Sequence, residues 1–118
     1  MSPHSKAEEL YKEGLKKAEK GNFIKAIRYY ERSLKEYHEK SPRALIKISL
    51  VYLAKSEALQ ELNKFEEALE SINLALKYQP YSSRAKEIKQ SLESRFSTGE
   101  IEYSTDNNGQ KWFESGKR

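Results

Sequence analysis

The sequence predicts an all-α fold in which antiparallel helical hairpins stack into a short solenoid. One observation is an internal repeat with an offset of 42 residues, the separation of Phe23 and Phe65. Another is that apolar residues recur at spacings of three and four within each copy, as in amphipathic helices. A repeat of this length indicates a supersecondary unit that packs against its neighbour. Identical pairs include Phe23 and Phe65, Ala26 and Ala68, Leu34 and Leu76, and Lys35 and Lys77; similar pairs include Tyr30 and Ile72, Ser33 and Ala75, and Gly14 and Ser56.

The first hairpin begins at a recognisable helix start. Ser5 and Glu8 have the spacing of a capping box, which predicts the N-terminus of the first helix. Gly21 interrupts the helical pattern before the second helix. Gly14 and Ala26 are small residues at positions where two antiparallel helices must approach closely. The five predicted helices cover about residues 5–20, 23–39, 42–62, 65–78 and 82–96, within a single helical domain at residues 1–96.

The remaining helices are also delimited by local signals. Ser41 followed by Pro42 is an N-cap with proline in the first turn, which predicts the start of the third helix. Asn63 suits a left-handed residue between the third and fourth helices. The fifth helix carries Lys86 and Lys89 where a further repeat would have large apolar residues. We therefore expect it to be a polar capping helix.

The spacing of large and small residues in both copies resembles the tetratricopeptide repeat family. In the first copy the motif residues are Leu10, Gly14, Phe23, Ala26, Tyr30 and Ser33-Leu34, with His38 where proline is usual; in the second they are Tyr52, Ser56, Phe65, Ala68, Ile72, Ala75-Leu76 and Pro80. The resemblance covers about residues 5–96. The chain departs from the family in having Lys17 and Lys55 at apolar positions and a period longer than the usual 34 or so residues. The resemblance implies two repeats plus a capping helix, and a module that binds other proteins.

The third helix has an apolar stripe that suggests where a partner binds. Ile46, Leu50 and Leu53 point toward the side that forms the concave groove in the family. Either the first and fifth helices cover this stripe, or it binds a peptide, a partner helix or a second copy of the chain in a homodimer. The predicted groove residues are Tyr11, Lys12, Leu15, Ile46, Leu50, Leu53, Glu57 and Arg84.

The groove does not match the family members that clamp the C-terminal carboxylate of chaperones. In those members the clamp consists of Lys, Asn and Arg side chains on the first, third and fifth helices. The matching positions here hold Tyr11, Leu15, Ala54, Arg84 and Ile88. Only Arg84 fits, so we expect an apolar or mixed groove rather than a carboxylate clamp.

A basic stripe on the second helix supports an alternative function. Its residues recur at steps of three and four and are Lys25, Arg28, Arg32 and Lys35. Residues 21–48 carry seven basic and three acidic side chains, whereas residues 49–79 carry three and five. Such a stripe could bind a polyanion such as nucleic acid. A net charge of only +4 makes nucleic acid the minor alternative.

The last part of the chain, residues 97–118, has a different composition. Asn108-Gly109 is a hairpin-turn signal between two short segments that contain aromatic residues. The polar composition equally suits a disordered tail. Tyr103, Trp112 and Phe113 are the side chains that we expect to anchor this tail on the helices or on a partner.

Composition argues against several other classes of function. The chain has no cysteine, which excludes disulfides, thiolate metal sites and cysteine nucleophiles and suits a reducing, cytoplasmic location. Its two histidines, His4 and His38, have no ligand-spaced carboxylates, and no phosphate loop or nucleophile elbow is present. No apolar run is long enough to cross a membrane. We expect a protein that is not an enzyme, holds no metal or cofactor, and acts through a protein or peptide partner.

Overall fold

The computed structural model describes residues 4–38 and 40–103, and within these ranges every regular element is an α-helix. The all-α class predicted from the sequence is confirmed. The helices are α1 (Ser5–Glu19), α2 (Phe23–Lys35), α3 (Pro42–Glu61), α4 (Phe65–Tyr78) and α5 (Ser83–Ser97).

Neighbouring helices in the chain are neighbours in space. α1 packs on α2, α3 on α4, α2 on α3, and α4 on α5. The Ser33 hydroxyl, near the end of α2, donates to the carbonyl of Ala7 at the start of α1 at 2.7 Å. The Ser49 hydroxyl, near the start of α3, donates to the carbonyl of Ala75 near the end of α4 at 2.8 Å. These contacts show that α1 and α2 run antiparallel, and that α3 and α4 do as well.

The core consists of two apolar clusters that share side chains. One cluster lies among α1, α2 and one face of α3, from Ala44 to Ala58, around Tyr30 and Val51. The other lies among the end of α3, α4 and α5, around Ile72 and Leu92. Ile27 and Tyr52 pack against both clusters. Because small Ala residues fill much of the space between helices, the helices approach closely and the core stays thin.

Several helix ends follow the local signals and one does not. The Ser41 side chain accepts a hydrogen bond from the Ala44 amide at 3.2 Å, which confirms the predicted cap of α3. Asn63 has φ 60°, which confirms the left-handed residue after α3. The capping box at Ser5 is wrong: His4 is the N-cap, without a side-chain cap bond, and Glu8 instead pairs with Lys47 on α3.

The second helix ends earlier than the sequence pattern suggests. α2 stops at Lys35, whereas the apolar spacing extends it to about residue 39. Tyr37 leaves the helix and is buried, with its ring 4.9 Å from that of His4. This packing gives the Tyr37 side chain an apolar site outside the helix, against the residue that precedes α1.

The described part of the tail packs on the end of the helical domain. α5 extends one residue beyond its predicted end, and Ile101 then lies buried in the cluster of α4 and α5. The Tyr103 ring stacks on Phe96, with 4.3 Å between centroids. The predicted β-hairpin or disordered tail, with Trp112 and Phe113, lies otherwise outside the described residues.

Candidate functional site

A cavity of about 440 Å³ opens at the junction of α1, α3 and α5. Its apolar lining comes from Leu15 on α1, Ala54 and Ala58 on α3, and Ile88 on α5. Phe23 and Tyr30 of α2 also reach it. The alanines matter because their short side chains leave the space that longer residues on α3 would fill. The cavity therefore combines an apolar wall with room for an inserted side chain.

The rim of this cavity is polar and is bridged by one ion pair. Arg84 donates to the carboxylate of Glu57 at 2.8 Å, joining α5 to α3. Both side chains are largely exposed, and pairs of this kind contribute between nothing and about 1 kcal/mol. Gln60 and Glu61 complete the polar rim. The bridge can therefore open at little cost when another charged group competes for either partner.

Two tyrosines beside the cavity have perturbed hydroxyl groups. Burial, reinforced by nearby Tyr11 and Glu57, raises the pKa of Tyr30 to about 12. Burial and the Glu57 charge also raise the pKa of Tyr11. The two rings lie 6.0 Å apart. Both hydroxyls are therefore neutral at physiological pH, and the negative charge beside them belongs to Glu57.

The predicted groove residues divide into two sets. Leu15, Glu57 and Arg84 line the cavity together. Ile46 and Leu50 do not line it and are about half exposed, whereas Leu53 is partly buried against the cluster of α4 and α5. The remaining two, on α1, are half-buried Tyr11 and exposed Lys12.

Some residues that line the cavity were not among the predicted groove residues. Ala54 and Ala58 are four residues apart on α3, a spacing that places small residues on one helix face. That spacing alone could have marked a recess. Tyr30 gave no such signal, because its repeat position indicates packing between α1 and α2, and it is in fact only 1% exposed.

Most residues of the predicted basic stripe line a smaller pocket of about 250 Å³. Lys25, Arg28 and Arg32 line it from α2, and Lys17 lines it from α1. Tyr29 also lines it and lies beneath the guanidinium of Arg32, at 5.4 Å from the ring centroid. The fourth stripe residue, Lys35, is exposed and does not line the pocket. The pocket therefore pairs cations with an aromatic ring, which the sequence pattern did not suggest.

Other site types have no geometric support in the described part of the chain. Within residues 4–38 and 40–103, no three His, Asp or Glu side chains are grouped so that they could hold a metal ion. Over the same residues, none of the helices is both long and apolar enough to traverse a lipid bilayer.

Comparison with known proteins adds no assignment. No protein-family model matches the chain, and a search of curated proteins finds no match.

Proposed function

We propose that this chain is a protein–protein interaction module that binds a peptide or a partner helix in the groove formed by α1, α3 and α5. The observation that carries the proposal is the cavity of about 440 Å³, with its apolar wall and polar rim, which is lined by residues of four helices. Binding clefts for other molecules combine these same properties. An apolar side chain of the partner would occupy the space above Ala54 and Ala58.

Exposed apolar residues extend the groove along α3. Leu50 precedes Glu57 by seven residues, about two helical turns, so both lie on one face of the helix. Ile46 lies a further turn away on the same face, and it is 50% exposed. From Ile46 to Glu57 this face runs for about 16 Å at 1.5 Å per residue. A helical or extended peptide could therefore place one anchor in the cavity and others on Leu50 and Ile46.

The charges at the rim favour a partner other than a free chain terminus. Arg84 is engaged by Glu57, and Glu61 adds a second carboxylate to the cavity rim. A C-terminal carboxylate would have to displace Glu57 and approach Glu61. A basic side chain on the partner would instead gain both carboxylates. We therefore expect apolar anchors flanked by Lys or Arg in the bound segment.

The proposed architecture for this function is two tetratricopeptide-like repeats, α1–α2 and α3–α4, closed by α5. It is supported by the residue pairs at an offset of 42 and by matching contacts at those positions. Ala7 and Ser33 are joined by a hydroxyl–carbonyl bond, as are Ser49 and Ala75, which stand 42 residues later. In stacked helical repeats, the first helices of successive units line a concave surface, and this is the role that the proposal gives to α1 and α3.

A peptide selection tests the proposal. A random peptide library displayed on phage is selected on the full chain, and enriched peptides are measured by fluorescence anisotropy. Leu15→Asp places a charge on the cavity wall and should weaken binding by a factor of about 10 to 100, since burial of a leucine is worth about 1.5–3 kcal/mol. NMR amide shifts should centre on the residues that line the cavity.

The matched control is Ile24→Asp. Ile24 is an apolar residue on α2, 57% exposed, that does not line the cavity. This variant should bind the selected peptides as the unmodified chain does. Peptides that bind the Leu15→Asp variant equally well would contradict the proposal. Light scattering tests the alternative that a second copy of the chain occupies this surface. A homodimer through Ile46 and Leu50 should be seen for the unmodified chain and should dissociate in the Leu50→Asp variant.

A further inference from the structure

The basic pocket between α1 and α2 has an excess of positively charged side chains over acidic partners. Lys17, Lys25, Arg28 and Arg32 line a space of about 250 Å³. Within residues 4–38 and 40–103, no carboxylate forms an ion pair with any of these four side chains. Four cations gathered in one place without acidic partners attract an anion from solution.

Two acidic side chains close to this pocket in the sequence form ion pairs elsewhere. Glu31 on α2 pairs with Lys55 of α3 at 3.3 Å. Glu13 on α1 pairs with Lys16 at 3.4 Å. Neither of these two carboxylates therefore forms an ion pair with the cations of the pocket.

The pocket also holds one guanidinium in a defined orientation. Arg32 lies over the ring of Tyr29, and both side chains line the pocket. An arginine oriented by an aromatic ring loses less side-chain freedom when it binds. Its planar set of N–H donors suits the paired oxygens of a phosphate.

The packing of a helical hairpin does not require cations at these positions. The residues 42 positions after Lys25 and Arg28 are Glu67 and Glu70, both exposed on α4. The residue 42 positions after Lys17 is Leu59, which is buried. The second hairpin thus packs its helices with acidic or apolar side chains at these positions. The basic cluster is a property of the first hairpin alone, and the architecture does not explain it.

We infer that this pocket binds a phosphorylated side chain, phosphoserine or phosphothreonine, of a partner protein. A phosphate monoester carries a charge of about −1.5 to −2 at pH 7 and several strong acceptor oxygens, which match a compact cluster of two arginines and two lysines. Clusters of arginine are a recurring means of recognising phosphorylated peptides. The inference is independent of the groove, since none of the five residues that line this pocket lines the cavity.

A long nucleic acid fits these observations less well. Affinity for a nucleic acid grows with the number of phosphates contacted, so it favours an extended basic track. Here Lys35 lies outside the pocket, and residues 49–79 carry five acidic against three basic side chains. The charge is concentrated at one place, as a single phosphate group requires.

The test uses the full chain labelled with nitrogen-15 and three capped pentapeptides. Each has alanines around a central phosphoserine, serine or glutamate. The phosphoserine peptide should shift the amides of the five pocket residues in a saturable manner. The serine peptide should produce no such shifts, and the glutamate peptide should bind about tenfold more weakly because it has less charge and fewer acceptor oxygens.

Two double variants with the same change of charge complete the test. Arg28→Gln/Arg32→Gln removes both guanidinium groups and should weaken binding of the phosphoserine peptide by at least about tenfold. Lys64→Gln/Lys86→Gln changes two exposed cations of the second half of the chain and should leave binding within about twofold. All four side chains are exposed, so circular dichroism should show folded proteins in each case.

Three results would overturn the inference. The first is the absence of shifts in the pocket at up to about 10 mM phosphoserine peptide, beyond the range of specific weak binding. The second is an equal loss of binding in the two double variants, which would indicate a general effect of net charge. The third is tighter binding of a single-stranded oligouridylate, with an affinity that falls steeply with salt, which would assign the surface to nucleic acid.

Discussion

The hairpins α1–α2 and α3–α4 bring two helices to the same close approach with different residues. In the first hairpin, Gly14 faces Tyr30, and a Cβ atom at Gly14 would lie only 2.5 Å from the Tyr30 ring. In the second, the residues 42 positions after Gly14 and Tyr30 are Ser56 and Ile72, and both are buried. Ser56 uses the available space for a hydroxyl that donates to the Ala68 carbonyl at 2.8 Å. A larger residue on one helix accompanies a smaller one on the other.

The same compensation occurs in the polar contact between the helices. In the first hairpin the hydroxyl is on the second helix, at Ser33, and the acceptor is the Ala7 carbonyl. In the second hairpin the hydroxyl is on the first helix, at Ser49, and the acceptor is the Ala75 carbonyl. The donor and acceptor positions are exchanged, and the bond between the helices is retained.

These exchanges indicate which properties the fold requires. The fold requires that the two helices of a hairpin pack closely and that each buried polar group has a hydrogen-bond partner. Different residue pairs meet this requirement in the two hairpins. Within the described residues, no buried side-chain nitrogen or oxygen lacks a hydrogen-bond partner. The identity of each residue therefore depends on its partner across the hairpin, and a change of one alone should be costly.

The largest expected effect comes from exchanging the packing pair of the first hairpin for that of the second. Gly14→Ser alone should destabilise the protein by about 2–3 kcal/mol, because its Cβ meets the Tyr30 ring. Tyr30→Ile alone should cost about 2–4 kcal/mol through the space it leaves. Together the two changes should cost less than their sum by about 1–3 kcal/mol, since the smaller side chain makes room for the serine. Urea unfolding of the four proteins measures this coupling.

The reciprocal exchange in the second hairpin is the matched experiment. Ile72→Tyr should be tolerated better in the Ser56→Gly background than in the unmodified chain. If the two changes in either hairpin are simply additive, the packing of these positions is independent and the comparison fails.

The second expected effect is a dependence of stability on pH to which Tyr30 of the first hairpin contributes most. The pKa of Tyr30 is raised from 10.0 to about 12, chiefly by burial, so the folded state favours the neutral hydroxyl. Below pH 10 both states are neutral and the stability contribution is complete. Between pH 10 and pH 12 the unfolded chain ionises first, so the free energy of unfolding should fall, by up to about 3 kcal/mol.

Tyr30→Phe separates this contribution from those of the other tyrosines. Burial also raises the pKa of Tyr11, Tyr37 and Tyr52, which should leave a residual slope in the variant. Urea midpoints measured from pH 9 to pH 12 should therefore fall less steeply for Tyr30→Phe. Identical slopes for the two proteins would show that ionisation of Tyr30 does not contribute.

The sequence predicts the helices better than the contacts between them. Spacing of apolar residues and the caps at Ser41 and Asn63 place the third and fourth helices, because these signals are local. Local signals do not establish which group a side chain meets across a hairpin. Ser5 and Glu8 fit a capping box, yet Glu8 pairs with Lys47, 39 residues away in the chain. Glu8 therefore forms an ion pair with a lysine of another helix, whereas the local pattern predicts that it caps α1.

The residues of the candidate sites, like the contacts between the helices, could be predicted from the sequence only in part. Leu15, Glu57 and Arg84 could be predicted together from the family resemblance, and the three residues do line one cavity. The pocket around Arg28 could be predicted only in part, because Lys17 and Tyr29 join it through the packing of α1 on α2. The hydroxyl donor is Ser33 on the second helix of the first hairpin but Ser49 on the first helix of the second hairpin. Neither copy alone predicts this exchange, since each serine aligns with an alanine in the other copy.

The smallest expected effect tests that exchange directly. Ser33→Ala and Ser49→Ala should each destabilise the protein by about 0.5–1.5 kcal/mol, the net contribution of a typical hydrogen bond, and the two values should be similar. Ala7→Ser in the Ser33→Ala background puts the hydroxyl on the first helix, as in the second hairpin, with the residue 33 carbonyl as its acceptor. Because Ala75 accepts in that arrangement, we expect the double variant to recover most of the stability lost in Ser33→Ala.

Ala7→Ser alone provides the control, since it adds a second hydroxyl beside Ser33 and should not stabilise the unmodified chain. Recovery in urea unfolding would establish that the position of the donor is interchangeable between the helices. Failure to recover, with Ser33→Ala costing more than Ser49→Ala, would mean that the two hairpins differ in backbone geometry at this contact.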